Sequence, residues 1–88
     1  MIQIRALENS VFEVIVRGAT LTVHRVTAAP EDVIRLTGDP EKALPLIEES
    51  FLFLLDREPN TAIFDAFSLV EIGRYFPDYE QAMKDYFT

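Results

Sequence analysis

The chain has 88 residues, of which 49% are apolar, and it carries no cysteine and a formal net charge of −7. This length allows a single domain with a small core, and the apolar content excludes a disordered chain. The missing cysteines exclude disulfide and thiolate chemistry, and the acidic charge argues against direct binding to nucleic acid. The longest apolar run, 51–55, has five residues, whereas a membrane helix needs about 20, so we expect a cytoplasmic protein without a membrane partner.

The charge is unevenly distributed along the chain. Residues 1–30 carry three arginines and two glutamates, or +1, whereas residues 31–88 carry five basic and thirteen acidic residues, or −8. The simplest interpretation is that this acidic surface keeps a small domain in solution. The alternative is an acidic face that docks on a basic partner.

The first 27 residues predict β-strands. Apolar and polar side chains alternate in residues 2–6, and residues 11–17 and 20–27 are rich in β-branched residues. A three-residue loop at Glu8-Asn9-Ser10 suits the first turn, because asparagine tolerates the left-handed conformation. That loop pairs Ile2 with Val16, Ile4 with Val14 and Ala6 with Phe12, and all six side chains then share the core face.

The second turn is predicted at Gly18-Ala19. Glycine at the first position of a two-residue loop fits a type II′ turn, which needs positive φ there. This turn pairs Val14 with Val23, and it pairs Glu13 with His24 on the face open to water. The strand half, residues 1–27, is therefore predicted to be a three-stranded antiparallel meander in the order 1-2-3.

The helical half, residues 30–88, predicts about four helices that pack on one face of the sheet. The first begins at Pro30 and ends at Gly38. The next contains an apolar stripe at steps of three and four residues, formed by Leu44, Ile47, Phe51, Leu54 and Leu55. Pro45 requires that this helix either begins there or kinks, and Pro59 ends it.

Two further helices follow. Ser68 and Glu71 have the spacing of a capping box, which predicts a helix from there to about Phe76. Pro77 begins the last helix. Because strands and helices are segregated along the chain, the sequence predicts one α+β domain spanning residues 1–88.

Groups that could carry chemistry are few. His24 is the only histidine and hence the first candidate for a general base, but its predicted position is a surface pair with Glu13. The acidic residues lack EF-hand or His-acid spacing, and the glycines are isolated, so they form no phosphate-binding loop. We therefore predict no catalytic residue, no metal site and no cofactor.

Aromatic residues are concentrated in the helical half, where nine of the ten lie. A core this small cannot hide all of them, and partner surfaces use exposed aromatic residues. The predicted interaction surface consists of Phe53, Arg57, Arg74, Tyr75 and Tyr79. The alternative is that most of these aromatic residues are core and that each arginine pairs with a nearby acid.

Two motifs in residues 50–80 resemble a known family. They are Ser50-Phe51-x-Phe53-Leu54-Leu55-x-Arg57-Glu58-Pro59 and Arg74-Tyr75-Phe76-Pro77-x-Tyr79-Glu80. In these residues the chain resembles a family of small uncharacterised prokaryotic proteins of about this length. That family has no established activity, so the resemblance implies a shared fold and transfers no catalytic residue.

These observations favour a protein-interaction or self-association module that uses the aromatic helical half, with a protein partner or a second copy of the chain. The open sheet face and the edge of the third strand offer a second route, by strand addition. One alternative is an acidic regulator of a basic partner, antitoxin-like or mimicking nucleic acid. A small enzyme is the least favoured alternative.

Overall fold

The computed structural model describes all 88 residues and contains four strands, four α-helices and two single-turn 3₁₀ helices. The strands are β1 (Ile2–Ala6), β2 (Val11–Arg17), β3 (Leu21–Thr27) and β4 (Ala66–Ser68). The α-helices are α1 (Pro30–Thr37), α2 (Ala43–Leu55), α3 (Ile72–Tyr75) and α4 (Tyr79–Phe87). The 3₁₀ turns are Asn60–Ala62 and Leu69–Glu71. The α+β class is confirmed, with a four-stranded sheet in place of the predicted three-stranded one.

The first hairpin has the predicted register. β1 and β2 pair antiparallel with Ile4 opposite Val14. The loop between them holds Asn9 at φ 58° and Ser10 at φ 61°, so the left-handed conformation expected of Asn9 is present. The alternation in β1 and the apolar face of β2 formed by Phe12, Val14 and Val16 favour this register, because a slip of one residue would place Glu13 among the apolar side chains of the core face.

The second hairpin is antiparallel as predicted, but its predicted register is wrong by one residue. Arg17 pairs with Leu21, so the loop has three residues, and Gly18 does not adopt the positive φ that a type II′ turn needs. His24 therefore lies on the core face, and its predicted pairing with Glu13 is wrong. Both faces of β3 mix apolar and polar residues, so the pattern alone does not distinguish the two registers.

A short fourth strand was missed by the sequence analysis. β4 pairs in parallel with β3, and Phe67 lies beside Val26. Three residues are too few to show a period of two, and a parallel partner leaves no local turn signal. Because β4 covers the edge of β3 from Arg25 to Thr27, strand addition cannot occur at that part of the edge.

The first two helices follow the predicted signals. α1 begins at Pro30, and Gly38 ends it at φ 79° while donating its N–H to the carbonyl of Ile34. α2 begins at Ala43, which places Pro45 in the first turn. The first-turn N–H groups have no helical acceptor, so the missing N–H of Pro45 costs nothing and no kink is needed.

The last two helices differ from the prediction in their first turns. Ser68 and Glu71 form the predicted capping box, but it opens a 3₁₀ turn that continues into α3. α4 begins at Tyr79, two residues after Pro77. These short elements surround the end of α2 and form the site described below.

The core lies between one face of the sheet and the helices, and it contains 18 buried apolar residues. Three polar residues, His24, Thr37 and Ser50, are buried with them. No buried side-chain polar atom lacks a hydrogen-bond partner, as expected of a stable interior. None of the helices is both long enough and apolar enough to cross a membrane.

Candidate functional site

An apolar cleft of about 310 Å³ opens between the end of α2, the chain that precedes β4, and α3. Eight of its ten lining residues are hydrophobic. Its floor is made by core side chains, namely Leu54, Ile63, Phe67 and Ile72. The cleft is thus a continuation of the core that reaches the surface.

An exposed pair of aromatic rings lines the mouth of this cleft. Phe64 and Tyr75 meet edge to face with their ring centroids 5.5 Å apart. Phe64 leaves 52% of its surface exposed to solvent and Tyr75 leaves 62%. Two large rings that contact each other and still face water provide apolar area that a partner could bury.

A chain of hydrogen bonds holds the backbone of Phe64 against the sheet. The Nδ1 atom of His24 lies 2.7 Å from the carbonyl oxygen of Phe64, and a carbonyl can only accept, so Nδ1 carries the proton. The Nε2 atom then accepts from the hydroxyl of Thr22 at 2.9 Å. Asn60 donates to the same hydroxyl oxygen at 2.9 Å and to the carbonyl of Thr20 at 2.7 Å.

This chain of hydrogen bonds gives His24 a positioning role. The side chain is only 1% exposed, its ring centroid lies 5.4 Å from that of Phe51, and both ring nitrogens already have partners. A general base must reach the proton that it abstracts, and this ring reaches no solvent-filled space. His24 therefore fixes, from the core side, the backbone of Phe64, which lines the cleft.

Two carboxylates line the cleft and lack cationic partners. Glu71 uses one oxygen to accept the backbone N–H of Ser68 at 2.9 Å. Glu58 follows the C-terminal end of α2. Neither residue belongs to any of the five ion pairs of the chain. The cleft thus combines apolar walls with two carboxylates that form no ion pair within the chain.

Two residues of the predicted interaction surface lie in the core instead. Tyr79 is fully buried, and Phe53 is 8% exposed. α2 packs against α1, α4 and β1, so this helix buries more than the single stripe that its periodicity indicated. Phe53 and Tyr79 are consequently unavailable to a partner, and their assignment to the surface is corrected.

Tyr79 also satisfies its polar group internally. Its hydroxyl lies 2.6 Å from the Oγ atom of Ser50, which donates in turn to the carbonyl of Leu46 at 2.7 Å. Burial raises the pKa of Tyr79 to about 12. The phenol is thus a structural group in the neutral form.

The two predicted arginines have different surroundings. The guanidinium of Arg57 lies 3.5 Å from the ring centroid of Phe53 and donates to the carboxylate of Asp78 at 3.1 Å. Arg74 is exposed and forms no ion pair. Of the five predicted residues, only Tyr75 lines the cleft.

Phe64 was not singled out by the sequence analysis. It lies outside any helix or strand, so no periodicity could indicate whether its side chain is buried. The available signal was an aromatic residue in the short segment between Pro59 and Ser68, which contains no α-helix. No group of three or more His, Asp or Glu side chains lies close enough together to hold a metal ion.

Comparison of the chain with protein-family models, with curated proteins and with solved structures finds no match in any of the three. The resemblance of residues 50–80 to a family of small prokaryotic proteins therefore stays a prediction. The function has to be argued from the geometry of the cleft.

Proposed function

We propose that this chain is a protein-interaction module whose cleft receives one large apolar side chain of a partner protein. The observation that carries the proposal is the half-exposed pair of Phe64 and Tyr75 at the mouth of an apolar cleft. Aromatic residues that become buried on binding dominate the energetics of protein interfaces. The aromatic helical half keeps its predicted role, with the contact surface moved to the cleft.

The size of the cleft favours a side chain over an extended substrate. Pockets that hold drug-sized ligands measure about 300–1,000 Å³, so a cleft of about 310 Å³ is at the small end. A cavity of about 150 Å³ already holds benzene, which leaves room here for a phenylalanine, leucine or methionine side chain. The apolar walls would strip water from such a side chain and supply most of the affinity.

The charge around the cleft favours a basic residue next to that apolar anchor. Glu58 and Glu71 have no cationic partner in the chain. A charged hydrogen bond from an arginine would satisfy a carboxylate whose surroundings are partly apolar. The same carboxylates would repel a phosphate backbone, so we still expect no direct binding to nucleic acid. The cytoplasmic location stays a separate expectation.

Short blocked peptides test this proposal without knowledge of the natural partner. We would titrate ¹⁵N-labelled protein with the tripeptides Ala-Phe-Arg, Ala-Phe-Glu and Ala-Ala-Arg and follow the backbone amide shifts. The expected order of affinity is Ala-Phe-Arg, then Ala-Phe-Glu, with no saturable binding of Ala-Ala-Arg. The shifts should be confined to the amides that surround Phe64 and Tyr75.

Two tyrosine variants provide a matched pair for this titration. Tyr75 and Tyr86 are each 62% exposed, but only Tyr75 lines the cleft. Tyr75→Ala is expected to weaken the Ala-Phe-Arg affinity about tenfold, which corresponds to about 1.4 kcal/mol, whereas Tyr86→Ala should leave it unchanged. Equal affinities of the two variants, or shifts far from the cleft, would refute the site.

The same titration separates this proposal from the acidic-regulator alternative. A surface that recognises charge alone should bind Ala-Ala-Arg as well as Ala-Phe-Arg and should ignore the Tyr75→Ala substitution. Its affinity should also fall steeply between low and high salt, because exposed charges are screened over about 10 Å at 0.1 M. Binding to the cleft should retain most of its affinity in salt, because burial of apolar area does not depend on screening.

A further inference from the structure

β1 is a free edge of the sheet with an unpaired row of backbone groups. Met1 and Arg17 exchange backbone hydrogen bonds of 3.2 and 2.9 Å, and bonded pairs alternate with non-bonded pairs along an antiparallel ladder. Every second residue of β1 therefore points its N–H and C=O groups away from β2: Ile2, Ile4 and Ala6. The strand has no proline or bulge and only one charged residue, Arg5, so it carries few of the features that block pairing at a sheet edge.

The apolar side of the sheet continues to this edge without being fully covered. On β2 the core-facing side chains are buried, whereas on β1 Ile2 and Ile4 are only half-buried and Ala6 is exposed. A shallow groove beside the edge is completed by Leu44, Pro45 and Glu48 of α2. Leu44 leaves 47% of its surface exposed to solvent, although it belongs to the apolar stripe of its helix.

We propose that β1 pairs antiparallel with β1 of a second copy of this chain, about a two-fold axis at Ile4. Ile4 would then bond to Ile4 of the second copy, and Ile2 would bond to its Ala6. The two sheets would join into one. The second copy would then cover Ile2 and Ile4, which are half-buried beside the groove at Leu44. This interface is separate from the cleft and does not depend on the proposed function.

The charges of the chain favour this occupant and this register. With the axis at Ile4, Arg5 lies opposite the neutral Gln3 of the second copy, whereas an axis at Arg5 would place two arginines opposite each other. Residues 1–30 carry +1, against −8 for residues 31–88. At the edge itself Arg5 is paired with Glu13 of its own chain at 3.1 Å, so two copies that meet there bring together little net charge besides Glu48 of each groove.

Engineered thiols test the register directly, since the chain has no cysteine of its own. Across the proposed axis, Gln3 and Arg5 form a non-bonded pair with Cα atoms about 4.5 Å apart, which suits a disulfide. Mixing the Gln3→Cys chain with the Arg5→Cys chain under mild oxidation should give mostly the mixed dimer. The proposal would be overturned if either disulfide-linked homodimer formed in the same yield as the mixed dimer. It would also be overturned if a Thr20→Cys control, in the exposed hairpin loop, gave that yield.

A proline substitution at the edge tests whether two copies associate through β1. Ala6→Pro removes an N–H that makes no bond to β2, and Ala6→Val keeps that N–H. Sedimentation of the wild-type chain should show a monomer–dimer equilibrium, weakened at least tenfold by Ala6→Pro and unchanged by Ala6→Val, with circular dichroism confirming that both variants fold. A wild-type monomer at every concentration, or equal association of both variants, would overturn the proposal.

Discussion

The helical half contains two aromatic clusters that share one contact geometry but differ in their surroundings. Phe53 and Tyr79 meet edge to face with centroids 5.4 Å apart, and Phe64 and Tyr75 do so at 5.5 Å. The first pair is buried beneath the guanidinium of Arg57, whereas the second is half exposed and has no cation over its rings. We refer to them as the closed cluster and the open cluster.

The closed cluster shows what the open cluster lacks. Arg57 covers the ring of Phe53 and is fixed by the carboxylate of Asp78. The open cluster has the rings and two carboxylates, Glu58 and Glu71, but no guanidinium. An arginine of a partner would therefore complete the open cluster in the way that Arg57 completes the closed one.

The largest expected difference between the clusters is in stability. Phe53→Ala empties a buried site and should lower the free energy of unfolding by about 3–5 kcal/mol. Tyr75→Ala removes a ring that is mostly exposed and should cost less than about 1 kcal/mol. Urea unfolding of both variants measures the two values. Equal losses would mean that the open cluster is part of the core and would break the comparison.

The closed cluster should also make stability depend on alkaline pH. Burial raises the pKa of Tyr79 from 10.0 to about 12, so above pH 10 the unfolded chain releases a proton that the folded chain retains. The contribution of Tyr79 to the free energy of unfolding is therefore fully present below pH 10. It is lost as the pH rises to about 12, by about 3 kcal/mol in total. Urea unfolding between pH 9 and pH 12 should show this loss.

Tyr79→Phe provides the control for the alkaline experiment. It should lower stability by about 1 kcal/mol at neutral pH, because Ser50 loses a hydrogen bond, and it should remove the specific loss above pH 10. The two proteins differ only at residue 79, so the difference between the two pH curves isolates Tyr79. Parallel curves would show that folding does not raise the pKa of Tyr79.

The last comparison concerns the hydrogen bonds behind the open cluster, whose loss is expected to cost less than Phe53→Ala. His24→Leu fills the site with an apolar side chain but leaves the partly buried carbonyl of Phe64 without its donor, at a cost of about 1–3 kcal/mol. The Ala-Phe-Arg peptide should also bind more weakly, although His24 does not line the cleft. Thr22→Val removes only the far end of the chain of hydrogen bonds and should affect binding less. Unchanged peptide affinity in His24→Leu would refute the positioning role.

The two hairpins show how far local patterns determine this fold. The first could be predicted because apolar and polar residues alternate in β1, and because the face of β2 formed by Phe12, Val14 and Val16 is entirely apolar. In β3 the register depends on His24, which is buried because Thr22 and Phe64 satisfy its two nitrogens. Phe64 lies 40 residues further along the chain, so no local pattern reveals that partner.

The site could be predicted only in part for a related reason. The concentration of aromatic residues indicated the half of the chain that contains the cleft, and Tyr75, which lines it, was among the predicted contacts. Phe53 and Tyr79 could not be excluded, because their burial follows from the packing of α2 against α1, α4 and β1. These contacts exist only in the assembled domain, so the periodicity of one helix does not predict them.

The parallel pairing of β4 with β3 also determines when the cleft can exist. The contacts from His24 to Phe64 and from Asn60 to Thr20 each span 40 residues, and α1 and α2 lie within that span. Closing so long a loop carries an entropic cost, and folding of the intervening helices shortens the span that remains to be closed. We therefore expect the cleft to form late in folding, and a partner of the proposed kind would then recognise only the folded chain.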